Sequence, residues 1–190
     1  MIGITEISIG LSAGLVLTIV TSAIGLAGEK IAASSGLSLA TMVDPSSGGS
    51  TPVISQILTL FMLVIFVSYD GHLVVIRTMI ESYEFLPIGS KIDLSIFVQA
   101  GILAAETMFS SAALIMLPIA LILLLINTAI GVITRSAPTL NLFSFGFPIT
   151  MLGVFFILYL SVNSIGFAIS DLIGVAIFFM QDMIGAISNG

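Results

Sequence analysis

An all-α chain of long, membrane-type helical hairpins is predicted by three features of these 190 residues. Hydrophobic residues make up 58%, charged residues only 7%, and apolar runs dominate the chain from end to end. With a mean hydropathy of +1.28, there are too few charges to cover a globular surface, for which about 25% is usual. The chain is integral to a membrane or forms the core of a large assembly. Four apolar helical segments are read, at 5–33, 52–83, 93–135 and 147–187, each longer than the roughly 20 residues that cross a bilayer.

The first segment carries Gly10-Leu11-Ser12-Ala13-Gly14, which matches the GxSxG pattern of serine hydrolases. A nucleophile elbow needs a strand, a sharp turn and a helix, whereas these residues sit inside an apolar helical run. Gly10 and Gly14, one turn apart, are instead assigned to helix packing, since small residues at that spacing let a second helix approach closely. Glu6 stands where a cleavable signal peptide would carry basic residues, so none is expected.

A polar, helix-incompatible stretch follows at 36–52, GLSLATMVDPSSGGSTP. Asp44-Pro45 disfavours helix at the residue before proline, Gly48-Gly49 frees the backbone, and the Ser and Thr side chains compete for backbone hydrogen bonds. Lying between apolar segments, it is either a solvent loop or a non-helical segment at membrane depth that is buried in protein or lines a water-filled path.

The second segment is expected to break at Asp70-Gly71-His72, because glycine weakens the helix while Asp and His compete for freed backbone groups. The third and fourth are too long for one straight crossing and must tilt, kink, fold into hairpins or project beyond the hydrocarbon. Pro118 is the kink candidate in the third, and Gly166 with Ser161, Asn163 and Ser164 in the fourth. RSAP at 135–138 and GFP at 146–148 read as a helix stop and a helix start.

Asp70, Glu106 and Asp171 lie within apolar runs, where an ionised side chain is costly unless paired, wet or protonated. They are either ions on a transport path or structural groups paired with Arg77, His72 or a neighbouring subunit. Arg77 and Glu106 are assigned as structural ions, each with an opposite charge, a backbone group or water in the assembled protein. The basic residues Lys30, Arg77, Lys91 and Arg135 are too scattered to set a topology. Trp is absent and Tyr occurs only at 69, 83 and 159, a thin aromatic belt that fits burial against other subunits or a small membrane protein.

The absence of Cys and the single His leave no disulfide framework and no ordinary Cys/His zinc site, so neither a metal nor another cofactor is expected. P-loop, HExxH and EF-hand patterns are lacking, and no catalytic residue is assigned. A net charge of -6 argues against nucleic-acid partners.

Five motifs occur in order: VDP in the polar stretch, GHL at 71–73, LPIG at 86–89, NTAIGVITRSAP at 127–138 and GFPIT at 146–150. In this order they resemble the FliR family, the export-gate component of bacterial flagellar type III secretion, and the resemblance extends more loosely over both ends. FliR-like proteins usually carry further hydrophobic segments ahead of the one that opens this chain, so a naturally short member or a removed N-terminus is expected.

The resemblance implies one export-gate domain over 1–190 in the bacterial inner membrane at the flagellar basal body. It implies FliP-like and FliQ-like partners, FlhA-like and FlhB-like neighbours, and unfolded flagellar proteins as cargo. A gate must seal when idle, and that role is assigned to Gly36, Leu37, Ser38, Leu39, Ala40, Thr41 and Met42, apolar groups on mobile backbone. Energy would come from an associated ATPase and from the proton-motive force acting on other components. Two alternatives stay open: an injectisome gate subunit with the same fold, and a small transporter or channel using the intramembrane acids. An intramembrane serine hydrolase ranks third.

Overall fold

The computed structural model describes residues 2–36, 52–85, 94–137 and 146–189, and every regular element among them is helical. The helices are α1 (Ile2–Ser34), α2 (Val53–Ser68), α3 (Gly71–Phe85), α4 (Leu94–Ser136) and α5 (Phe147–Asn189). The all-α expectation holds. Three helices are long and apolar enough to cross a membrane, or four spans if α2 and α3 are counted as one bent pair.

The chain packs as two compact units. One comprises Met1–Ala23, Phe61–Ser111 and Ala168–Gly190, the other Ile24–Leu60 and Ala112–Phe167. Neither is a continuous stretch, because α1, α2, α4 and α5 each contribute to both. The core of the first is built on Val16 and Val20 of α1 and Ile169, Leu172, Ala176 and Met180 of α5, all buried. That of the second uses Ile24, Ala27 and Ile31 of α1, Ile54 of α2, Ile119 and Leu123 of α4, and Val154 of α5. Recurrence every three or four residues places each set on one helical stripe.

Outside those stripes the surface is apolar. Leu114, Leu152, Tyr159 and Phe167 are each more than 70% exposed, at 73%, 72%, 74% and 78%. Faces of this kind need lipid or protein against them.

The second predicted segment is two helices, bent by 63°. Asp70 adopts a left-handed conformation, φ +55°, which Asp tolerates better than most residues. Its amide donates to the Val67 carbonyl at 3.1 Å, and its own carbonyl accepts from Leu73 (2.8 Å) and Val74 (3.1 Å). One residue thus ends α2 and opens α3. Gly71 must be small, since a Cβ there would sit 2.6 Å from two ring carbons of Phe66 and 2.9 Å from its carbonyl oxygen.

Neither of the other expected kink sites interrupts its helix. α4 continues through Pro118 and α5 through 161–166, so hairpins inside these segments are excluded. At 43 residues each, they are about 65 Å long, roughly twice the hydrocarbon thickness. The stop and start signals act as expected. Arg135 lies in the last turn of α4, and Ala137 closes it with a 2.8 Å bond to Ile133. α5 begins at Phe147 with Pro148 in its first turn, and the Thr150 hydroxyl lies 3.0 Å from the Phe147 carbonyl.

Two substitutions test the α2–α3 bend. Asp70→Gly should be nearly neutral in thermal unfolding of the detergent-solubilised protein, because glycine accepts positive φ freely. Gly71→Ala should destabilise by about 1 to 3 kcal/mol through overpacking against Phe66. Equal melting temperatures for the two variants would contradict this geometry.

Candidate functional site

The polar stretch is flanked by two helix ends, both in the second unit, and each is held in place by a different chemistry. At the C-terminus of α1, the last carbonyls all have donors. The Ser34 hydroxyl donates to Lys30 (2.9 Å), the Ser35 amide to Ile31 (3.0 Å), the Ser35 hydroxyl to Ala32 (2.8 Å) and the Gly36 amide to Ala33 (3.2 Å). The Ser34 carbonyl accepts from Asn127 Nδ2 of α4 at 2.9 Å. Helix ends ordinarily leave such carbonyls to solvent. Gly36 then turns the chain with φ +77°, a conformation that favours glycine and often ends a helix.

At the N-terminus of α2, the Pro52 carbonyl accepts from Gln56 at 3.1 Å, and the helix is pressed against α1 from its first turn. A Cβ on Gly28 would lie 2.5 Å from Ser55 Cα and 2.9 Å from Ser55 N, so backbone meets backbone here. The Ser55 hydroxyl donates to the Gly25 carbonyl at 2.9 Å, binding the two helices across the same contact. Ile54 and Ser55 are buried.

Of the gate residues assigned from sequence, Gly36 is seen at the end of α1, while Leu37, Ser38, Leu39, Ala40, Thr41 and Met42 lie outside the described residues. Gly10 and Gly14 are on α1, but no atom of a neighbouring element would come within 4 Å of a Cβ at either. Within the chain, the close approach that their spacing anticipates occurs at Gly28. The missed signal was another small-residue run, Ala23 to Gly28 with Ala32 and Ala33. Asn127 carries a signal of its own in the sequence, as the one amide in the apolar run from Met108 to Arg135.

Arg77 pairs with Glu81 one turn along α3, Nε to Oε1 2.6 Å, in an exposed contact. That is the only ion pair among the described residues. Asp70, Glu106 and Asp171 are exposed, and the pairing of Asp70 with Arg77 or His72 is not formed. Asp70 lies at the bend between α2 and α3, while Glu106 and Asp171 sit on outward faces of α4 and α5. Ser12 lies mid-helix, and its hydroxyl donates to the Ile9 carbonyl at 2.8 Å, an ordinary helical back-bond. No group of three or more His, Cys, Asp or Glu side chains among the described residues is placed to hold a metal ion.

The arrangement therefore fixes the C-terminus of α1 against α4 and the N-terminus of α2 against α1. Gly28→Ala should lower the stability of the isolated chain by about 1 to 3 kcal/mol, since the backbone of α2 must shift. Gly14→Ala should leave the melting temperature of that same chain unchanged or slightly raised. A Gly28→Ala variant as stable as the parent would remove the close contact from the account.

The same chain matches the family model of bacterial export proteins, family 1, over residues 1–176. It is 34% identical over 150 residues to flagellar biosynthetic protein FliR of Escherichia coli strain K12, covering 79% of this chain and 58% of that protein. It is 36% identical over 148 residues to FliR of Pectobacterium carotovorum, covering 78% and 57%. Surface presentation of antigens protein SpaR of Shigella flexneri is 30% identical over 134 residues, covering 70% and 51%. The chain thus spans little more than half the length of these relatives. Family model and FliR relatives together support the resemblance carried by the five motifs, and the chain belongs to the bacterial export proteins, family 1.

Proposed function

We propose that this chain is a structural and gating subunit of the flagellar type III protein export apparatus. It would sit in the bacterial inner membrane at the flagellar basal body. The observation that carries this reading is the 34% and 36% identity to two FliR proteins over nearly four-fifths of the chain. The long helices with apolar outer faces support it, since such faces suit a subunit packed among other helices. FliP-like and FliQ-like chains would cover them, with FlhA-like and FlhB-like components alongside and unfolded flagellar proteins passing through. The SpaR similarity favours a second reading, the equivalent subunit of an injectisome, which differs in cargo and shares the architecture.

In this reading 1–190 acts as one gate domain, because α1, α4 and α5 each pass through both compact units. Residues 36–52 supply the plug, with Gly36 to Met42 as its gate residues. The end of α1 is tied to α4 and the start of α2 to Gly25 of α1, so a plug there would be held at both sides. Gly10 and Gly14, open within the chain, serve contact with another subunit, and Gly14→Leu should impair assembly while leaving the isolated chain folded. Arg77 and Glu106 are structural ions. No residue is catalytic, in keeping with Ser12 bonded inside its own helix.

Copurification tests the gate reading. A discrete complex with FliP-like and FliQ-like chains is expected, and a functional isolated monomer would overturn it. Deleting 37–42 should make cells leak ions or small solutes with the complex still assembled, and an unchanged permeability barrier would eliminate the plug. Glu106→Gln should leave the pH dependence of export unaltered. A shifted pH profile with normal assembly would instead make Glu106 part of a proton path.

A further inference from the structure

Four of the last five carbonyls of α1 are satisfied from within that helix or the two residues after it. The fifth, on Ser34, depends on a side chain 93 positions away. Neighbouring polar side chains of α4 behave differently. Thr128 donates to Leu124, Thr134 to Ile130 and Ser136 to Val132, all carbonyls of their own helix. Asn127 spends its amide on another helix, and at the residue where that helix ends.

Asn127 and Ser34 border an open cavity of about 300 Å³ whose other walls are Leu117, Ala120, Leu121 and Leu124. Asn127 and the bond itself are exposed, so the contact holds the helix end by its geometry and not by burial. Nothing else among these lining residues offers the Ser34 carbonyl a side-chain donor from α4.

We propose that Asn127 is the positioning residue for the C-terminus of α1. Its Nδ2 sets where α1 terminates, and so sets Gly36 as the point at which the chain turns away from the helix. The last turn of α1 is thereby held closed up to Gly36. This inference rests on the export-gate reading for its functional consequence, and on the described geometry for the rest.

The chain has no Cys, so paired spin labels can be introduced cleanly at Ala33→Cys and Leu124→Cys, both exposed positions. The measurement is their distance distribution in the assembled complex, alongside secretion of flagellar protein at matched complex levels. Asn127→Leu, similar in shape and without a donor, should broaden the distribution and reduce export by roughly threefold to tenfold, the range one hydrogen bond supplies. Asn127→Gln should narrow the distribution again and restore most of the export. Should the Leu variant fail to accumulate, Asn127→Ala is read in its place with the same expectations.

An unchanged distribution overturns the proposal, whether or not export falls. Broadening that Asn127→Gln does not reverse overturns it too, because a donor would then not be the cause. If the unmodified chain forms no complex, the labels are read in the isolated chain. The gate reading then fails separately, while the distance change still decides the role of Asn127.

Discussion

Backbone-to-backbone contact between α1 and α2 at Gly28 and Ser55 is the constraint on which the second unit depends. Any side chain larger than hydrogen at residue 28 would meet the Ser55 backbone at 2.5 Å. The approach brings Ser55 Oγ within 2.9 Å of the Gly25 carbonyl, and Ile54, like Ile24 and Ile31, is buried in the core of that unit. It also determines where α2 can begin, one residue after Pro52. With α1 and α2 joined there, the 36–52 stretch departs from and returns to fixed ends.

Elsewhere the molecule follows the rule of chains that leave water behind, in which backbone polar groups are satisfied inside helices. Most Ser and Thr hydroxyls bond carbonyls three or four residues back, as Ser12, Thr18, Thr107 and Thr128 do. The first unit adds a polar contact between helices, where Gln181 Nε2 donates to Thr78 Oγ1 at 3.3 Å. Thr78 and Ser82 are buried while Leu73, Ile76 and Ile80 of the same helix are exposed. α3 thus turns two hydroxyls inward, and its outward face mixes these apolar side chains with His72, Arg77 and Glu84. Its outward face asks for lipid or a neighbouring subunit.

Fold class was legible because length and apolarity decide it locally. The 33 residues of α1 and the 43 of α4 and α5 need no partner to be recognised as helices. The break at Asp70 was legible for the same reason, since Asp-Gly-His carries its own backbone preference. Continuity through Pro118 was not, because the cost of one missing hydrogen bond is outweighed over a long apolar helix by a balance that spacing does not reveal. Gly10 and Gly14 have the spacing of a contact, yet Gly28 makes one, and only the partner distinguishes them. Asn127 could be singled out as a lone amide, but its acceptor lies on a different helix far along the chain. Local chemistry identified the elements, and non-local pairing assigned their roles.

The central claim is that α1 ends rigidly at Gly36. Hydrogen–deuterium exchange of the assembled protein tests it most directly, at the amides of Ser35 and Gly36, which donate to Ile31 and Ala33. These amides should exchange as slowly as those in the middle of α1. Rapid exchange at both, typical of a fraying helix end, would contradict the account.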